Sequence, residues 1–175
     1  MSLYQRLLGA DYDRLPPVLR AFHAGPGIVR GRVRITRGAG GPLRHLAAAL
    51  ARLPPPAEDA DVTLTVTPEG SGERWERRFG GARLDTRQWE KGGRLWERLG
   101  PLTLVLSVVA DERGLTFGFD HVRVLGARLP KALSPWTDGW AYSEGDGWRV
   151  RTEIGAPLLG IVTTYEGFVR PDPSP

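Results

Sequence analysis

The sequence contains no cysteine. Disulfides, thiolate metal sites and cysteine nucleophiles are therefore excluded. Histidine is almost as scarce: His23, His45 and His121 are the whole complement. Their spacing fits no metal motif, and a zinc site would have to be completed by carboxylates. No metal and no cofactor is expected. Long apolar runs are also missing. The longest, Leu102 to Ala110, is broken by Thr103 and Ser107, far short of the roughly 20 residues that cross a bilayer. The first residues, MSLYQRLLGADYDRL, hold no basic stretch followed by an apolar one. No secretory signal is expected, and the cytosol is the expected location. There is no phosphate loop, no glycine fingerprint opening a helix after a strand, and no Gly-x-Ser-x-Gly elbow. The serines lie at termini, in turns or inside strand-like runs, so serine-type nucleophilic catalysis is not expected.

The chain is long enough, at 175 residues, to bury a core as one domain. That domain is expected over residues 1–170, with a disordered tail at 171–175. Lysine occurs only at Lys91 and Lys131 among 24 basic residues. The arginine excess reads either as a composition bias shared with alanine, glycine and proline, or as a demand for forked hydrogen bonds to anions.

Helical spacing is confined to the first third. Leu3, Leu7 and Leu8 form one apolar set, and Leu15, Val18, Leu19 and Phe22 form another, with a break at Asp13 to Leu15 before Pro16 and Pro17. Gly25-Pro26-Gly27 ends this part. Ile28 to Thr36 then alternates at period two, with Val29, Gly31, Val33 and Ile35 on one face and Arg30, Arg32 and Arg34 on the other. Pro42 opens a further helix with the stripe Leu43, Leu46, Ala47 and Leu50, which ends at Pro54 to Pro56.

From Val62 onward, strand-like runs follow one another, separated by glycine-rich turns with no helices between. Such connections are antiparallel. The fold class is α+β: N-terminal helices, one helix after the first strand, then a curved antiparallel sheet or half-open barrel of about eight or nine strands.

Three constellations could carry function. Arg30, Arg32 and Arg34 share a strand face inside a stretch, Asp13 to Glu58, that has eight arginines and no acid between its ends. They form either an anion-docking surface for phosphate or lipid, or a solvated face paired with neighbouring carboxylates. No paired-aromatic RNA motif accompanies them, and nucleic acid is not expected as a partner. The second constellation is aromatic. All six tryptophans fall between Trp75 and Trp148. Trp75, Arg77 and Phe79 alternate on one face, with Arg87, Gln88, Trp89, Trp96 and Glu97 on nearby strands. They read either as a pocket wall with a stacked arginine or as core residues with Arg77 paired to Glu97. The third is the run Leu115 to Leu125, where Phe117, Phe119 and His121 share a face unless Gly118 or Asp120-His121 marks a bulge. Tyr165 on the last strand is a hydrogen-bonding candidate. A catalytic alternative would need at least two of His121, Glu97, Glu153 and Tyr165 in one cleft.

The order of LYQRLLG, GRVRITRGAGGPLRHLA, ERWERRFGG, RLWERLGPLTLVLSVVADERGL and VRVLGARLPKAL resembles a bacterial family catalogued as domain of unknown function 4166. The resemblance runs from Leu3 to about Val169. It implies a domain found alone, or C-terminal to saccharopine-dehydrogenase-like oxidoreductases and to membrane proteins. It implies no catalytic residues, suggests an accessory or ligand-binding module, and points to an oxidoreductase as a partner.

These observations lead to one expectation. The chain is a non-catalytic module binding a small apolar or amphipathic molecule, anionic if Arg77 or Arg87 meets its head. The ligand-facing residues would be Trp75, Arg77, Phe79, Arg87, Trp96, Glu97, His121 and Tyr165. Docking on protein or anionic membrane through Arg30, Arg32 and Arg34 is the other non-catalytic reading.

Overall fold

A computed structural model describes residues 1–39, 41, 42, 45, 48, 49 and 53–172. The apolar stripe expected at Leu43, Leu46, Ala47 and Leu50 lies outside the described residues, as do residues 173–175.

The N-terminal segment forms helix α1 (Leu3–Leu8), a 3-10 turn (Gly9–Arg14) and helix α2 (Pro17–Phe22). Ser2 caps α1: its hydroxyl accepts from the Gln5 amide, and the Gln5 side chain accepts from the Ser2 amide. Proline at the start of α2 fits a first turn, whose amides have no helical partner.

Among the described residues eleven strands follow: β1 (Gly27–Arg37), β2 (Ala57–Glu69), β3 (Gly72–Phe79), β4 (Ala82–Lys91), β5 (Arg94–Leu99), β6 (Leu102–Ala110), β7 (Gly114–Val124), β8 (Ala127–Arg128), β9 (Trp136–Glu144), β10 (Gly147–Ala156) and β11 (Gly160–Pro171). Each pairs antiparallel with its neighbours. The order runs β6-β5-β4-β3-β2-β1-β11-β10-β9-β7, and β6 also pairs with β7. The ring is therefore closed. Ten strands build it, and the two-residue β8 hangs from β7. The half-open sheet of eight or nine strands is corrected on both counts. The strand with the three arginines is not an appendage before the sheet. It is β1, paired with β2 on one side and β11 on the other. Closure leaves no row of unpaired backbone amides and carbonyls, which an open edge would.

Connections alternate between the two ends of the barrel. The helical segment plugs one end. Arg6 donates to Ser71 O in the β2–β3 turn, and Arg14 pairs with Glu112 in the β6–β7 turn. The far end carries the β3–β4, β5–β6, β7–β8 and β10–β11 turns. The ladder is weakest between β7 and β9. Only Gly114 to Phe117 pair with Gly139 to Tyr142 there. Above them the Phe119 amide donates to the Asp138 carboxylate, 3.0 Å away, instead of to a backbone carbonyl.

Inward faces are apolar and outward faces are charged, the reverse of a barrel embedded in lipid. Leu3, Tyr4, Leu19, Val29, Leu95 and Leu115 are almost completely buried and join the plug to the wall. No described helix is long and apolar enough to cross a membrane.

Candidate functional site

The barrel encloses a cavity of about 250 Å³ that runs from the plug to the far end. This is slightly below the usual range of roughly 300–1,000 Å³ for small-molecule sites. Its floor is aromatic: Tyr4 and His23 from the plug, with Phe22, Trp75 and Trp148 around them. The Tyr4 and His23 rings lie 3.9 Å apart, and Phe22 and Trp148 lie 5.1 Å apart. Leu102, Leu104, Leu106, Val150 and Ile154 supply much of the wall.

One patch of this wall is polar. It belongs to the inward faces of β3, β4 and β5. Arg77 donates to Glu97 at 3.0 Å and to the Thr86 hydroxyl at 2.8 Å. The same hydroxyl donates to Glu97 at 2.7 Å. Tyr4 reaches up from the plug to donate to Gln88 at 3.3 Å. The Arg77 guanidinium also lies 5.1 Å from the centre of the Trp75 ring, close enough for a cation–π attraction. Burial pushes the Glu97 carboxyl up, but the Arg77 charge and the bonds from Thr86 and Gln88 outweigh it, so Glu97 stays ionised, below its usual range. Both members keep some accessible surface, 14% for Arg77 and 13% for Glu97. Since both point into the barrel, that surface faces the cavity.

Two further groups, His23 on the floor and Glu73 beside Trp75, are shifted by burial. His23 is held neutral, its pKa pushed down to about 3. No hydrogen bond to its ring is found among the described residues. Glu73 is raised by burial, against the bond it accepts from the Trp75 indole at 3.0 Å.

Of the eight residues expected to face a ligand, the structure brings Trp75, Arg77, Phe79, Glu97 and Tyr165 together around this cavity. It does not bring Arg87, Trp96 or His121 there, and these three are corrected. Arg87 lies between Thr86 and Gln88, which both point inward, so it must point out. It is half-exposed, 3.9 Å from Glu69. Trp96 is likewise flanked by inward Leu95 and Glu97. It sits outside, 6.0 Å from Trp89, with its indole donating to Lys91 O. His121 is turned outward by a bulge: Val105 pairs with His121 and Leu106 with Phe119, which leaves Asp120 unpaired in the ladder. Of the four acid–base candidates, only Glu97 and Tyr165 line the cavity. Glu153 is on the outer wall, paired with Arg151.

Arg30, Arg32 and Arg34 also point outward. Each is matched with a carboxylate, Asp172, Asp59 and Glu58 respectively. Arg149 and Arg151 on the same wall pair with Glu144, Glu153 and Glu166. Sequence reasoning missed Tyr4, His23, Thr86 and Trp148 as cavity residues, while Gln88, offered beside the aromatic face, does line it. Thr86 could have been found from its phase with Leu84 and Gln88. Tyr4 and His23 could not, because only the docking of the plug aims them inward.

No curated protein and no solved structure matches the chain. A family model does, over residues 15–168, and its description is a domain of unknown function. That span takes in the second helix of the plug and the barrel wall up to Phe168 in β11, and so the chain belongs to the domain of unknown function 4166 family, DUF4166.

Proposed function

We propose that the protein is a non-catalytic binding module, and that it holds a small amphipathic molecule inside the barrel. One observation carries the reading. A closed barrel keeps an internal cavity in which Arg77, Thr86, Gln88 and Glu97 form one hydrogen-bonded cluster on three adjacent strands, set in a largely apolar lining. A core selected only for stability would fill such a space, because an unfilled volume forfeits packing energy.

The polar patch also bears on the ligand's head. Arg77 and Glu97 offset one another, so among the described residues the lining offers no unpaired cation for an anion to meet. Both still have hydrogen-bonding capacity, since a guanidinium carries five donors and a carboxylate several lone-pair sites. A neutral head with a hydroxyl or amide suits this pair better than a carboxylate or an ammonium, which would bring unmatched charge into an apolar space. The apolar body would lie against Leu104, Leu106 and Val150. The same patch argues against acid–base catalysis, because a carboxylate held below its usual range is a weak base.

Calorimetric titration with 1-octanol, octanoate and octylammonium tests this reading. Saturable one-site binding of 1-octanol is expected, with weaker binding of the two charged probes and a change in tryptophan emission. Leu104→Trp, which fills the cavity, should abolish it while circular dichroism stays unchanged. Flat titrations for all three probes would reject the proposal.

A further inference from the structure

The far rim of the barrel displays apolar side chains that folding does not account for. Leu125 is 86% exposed, Leu133 64% and Leu158 99%. They belong to the β7–β8 turn, the short 3-10 turn Lys131–Leu133 and the β10–β11 turn. All three lie at the end away from the plug. Trp136 pairs with Gly155, so the segments that carry Leu133 and Leu158 are neighbours along the rim. Leu125 and Leu158 also hold positive φ angles, 48° and 68°. Glycine or asparagine adopts that region at lower cost than leucine does. These leucines thus carry backbone strain and bury nothing in return. Strain of this kind persists where a site is used.

Charge on the same rim points one way. Arg98, Arg128 and Lys131 have no carboxylate partner among the described residues. Arg123 donates only to Gly126 O. The acids of this sector are engaged: Asp138 accepts from the Phe119 amide, and Glu153 pairs with Arg151. Arg30, Arg32, Arg34, Arg149 and Arg151 on the outer wall are each matched with a carboxylate, whereas the rim beside the exposed leucines keeps Arg98, Arg128 and Lys131 without one among the described residues.

We propose that this rim docks on an anionic lipid bilayer. The three leucines insert at the boundary between headgroups and acyl chains, and Arg98, Arg128 and Lys131 meet headgroup phosphates. Neither contribution suffices alone; stable interfacial binding combines apolar insertion with attraction to anionic lipid. The short β7–β9 ladder opens beneath Leu125 and Leu133, so docking would set the loosest part of the barrel wall against the membrane. The inference rests on the rim and holds whatever the cavity binds.

Vesicle sedimentation with the full chain tests it, comparing phosphatidylcholine mixed with phosphatidylglycerol against phosphatidylcholine alone. Binding to the mixed vesicles is expected at low salt, with loss at high salt as the charges are screened. The triple variant Leu125→Asn, Leu133→Gln, Leu158→Asn should bind about 100-fold more weakly, from the apolar burial lost at three side chains. Asparagine tolerates the left-handed backbone, and a thermal melt verifies folding. Arg98→Gln, Arg128→Gln, Lys131→Gln should weaken binding strongly. Arg30→Gln, Arg32→Gln, Arg34→Gln, an equal change of net charge on the wall, should leave it near wild type. Leu104→Trp should also leave it near wild type, which separates this proposal from the one for the cavity. Three results would overturn it: no binding of the wild type to mixed vesicles, unchanged binding of the leucine variant, or a loss that follows the wall arginines instead. A wild-type dimer that dissociates in the leucine variant, with no vesicle binding, would assign the rim to a second copy and equally overturn it.

Discussion

Arg77 and Glu97 bond across a strand. They sit on β3 and β5, which do not touch, and Thr86 of the intervening β4 receives a hydrogen from one and gives a hydrogen to the other. The three side chains form one unit, so their removal should not be additive. Glu97→Leu leaves the Arg77 charge buried without its counter-ion and should cost about 3–5 kcal/mol. The double variant Arg77→Met, Glu97→Leu should recover most of that loss. Urea denaturation of the two variants and the wild type measures the coupling.

Acid should weaken the fold earlier than carboxylates alone would allow. The His23 pKa falls from an ordinary 6.5 to about 3 on burial. Its folded value is depressed, so its contribution is complete above pH 6.5 and is lost as pH falls toward 3. The slope in that window is at most about 1.4 kcal/mol per pH unit. Glu73, raised by burial, works in the opposite sense and loses stability as pH rises through its folded value. Denaturation midpoints from pH 7 to pH 4 should fall for the wild type. They should stay flatter for His23→Gln.

The β1–β11 seam has no room for side chains at two inward positions. A β-carbon on Gly31 would collide with Phe168 O, and one on Gly167 with Arg32 O. These glycines permit the close approach and bend that a closing barrel needs. Gly31→Val should therefore fail to give a cooperative thermal melt. Gly81→Ala, in a turn with open space around it, should melt like the wild type.

Leu158→Asn should raise thermal stability. The backbone there is left-handed and the side chain fully exposed, so the leucine costs strain and contributes no packing. A gain of a few tenths to about 1 kcal/mol is expected. Calorimetry on this single variant would show stability and rim function moving in opposite directions.

Much of the fold was legible because β-strand phase is easy to read. Val29, Val33 and Ile35 opposite Arg30, Arg32 and Arg34 announce both a strand and its inward face, and the structure keeps that division. The glycine turns announce antiparallel neighbours. Closure was not legible, because nothing in β1 or β11 alone says that they pair. The same limit governed the site. Trp75, Arg77 and Phe79 share a strand, and their common face follows from period two. Trp96 and Glu97 are adjacent, so one of them had to face away. The bulge at Asp120 turned His121 outward, and a bulge depends on how the partner strand is registered. Tyr4 and His23 come from another element entirely, and only tertiary docking places them.

The seam between the first and last strands has a kinetic consequence. Every other strand pairs close to its neighbour in sequence, but Arg30 and Asp172 meet across 142 residues. Bringing such distant segments together costs loop-closure entropy before any contact rewards it, which makes this pairing the slow step. Until β11 has been synthesised and docked, the growing sheet presents two open edges, on β1 and β10. Each is a template for another chain. Refolding at high concentration should thus favour exchange of β11 between molecules, and the short span from Gly160 to Pro171 decides whether the product is a monomer or a swapped assembly.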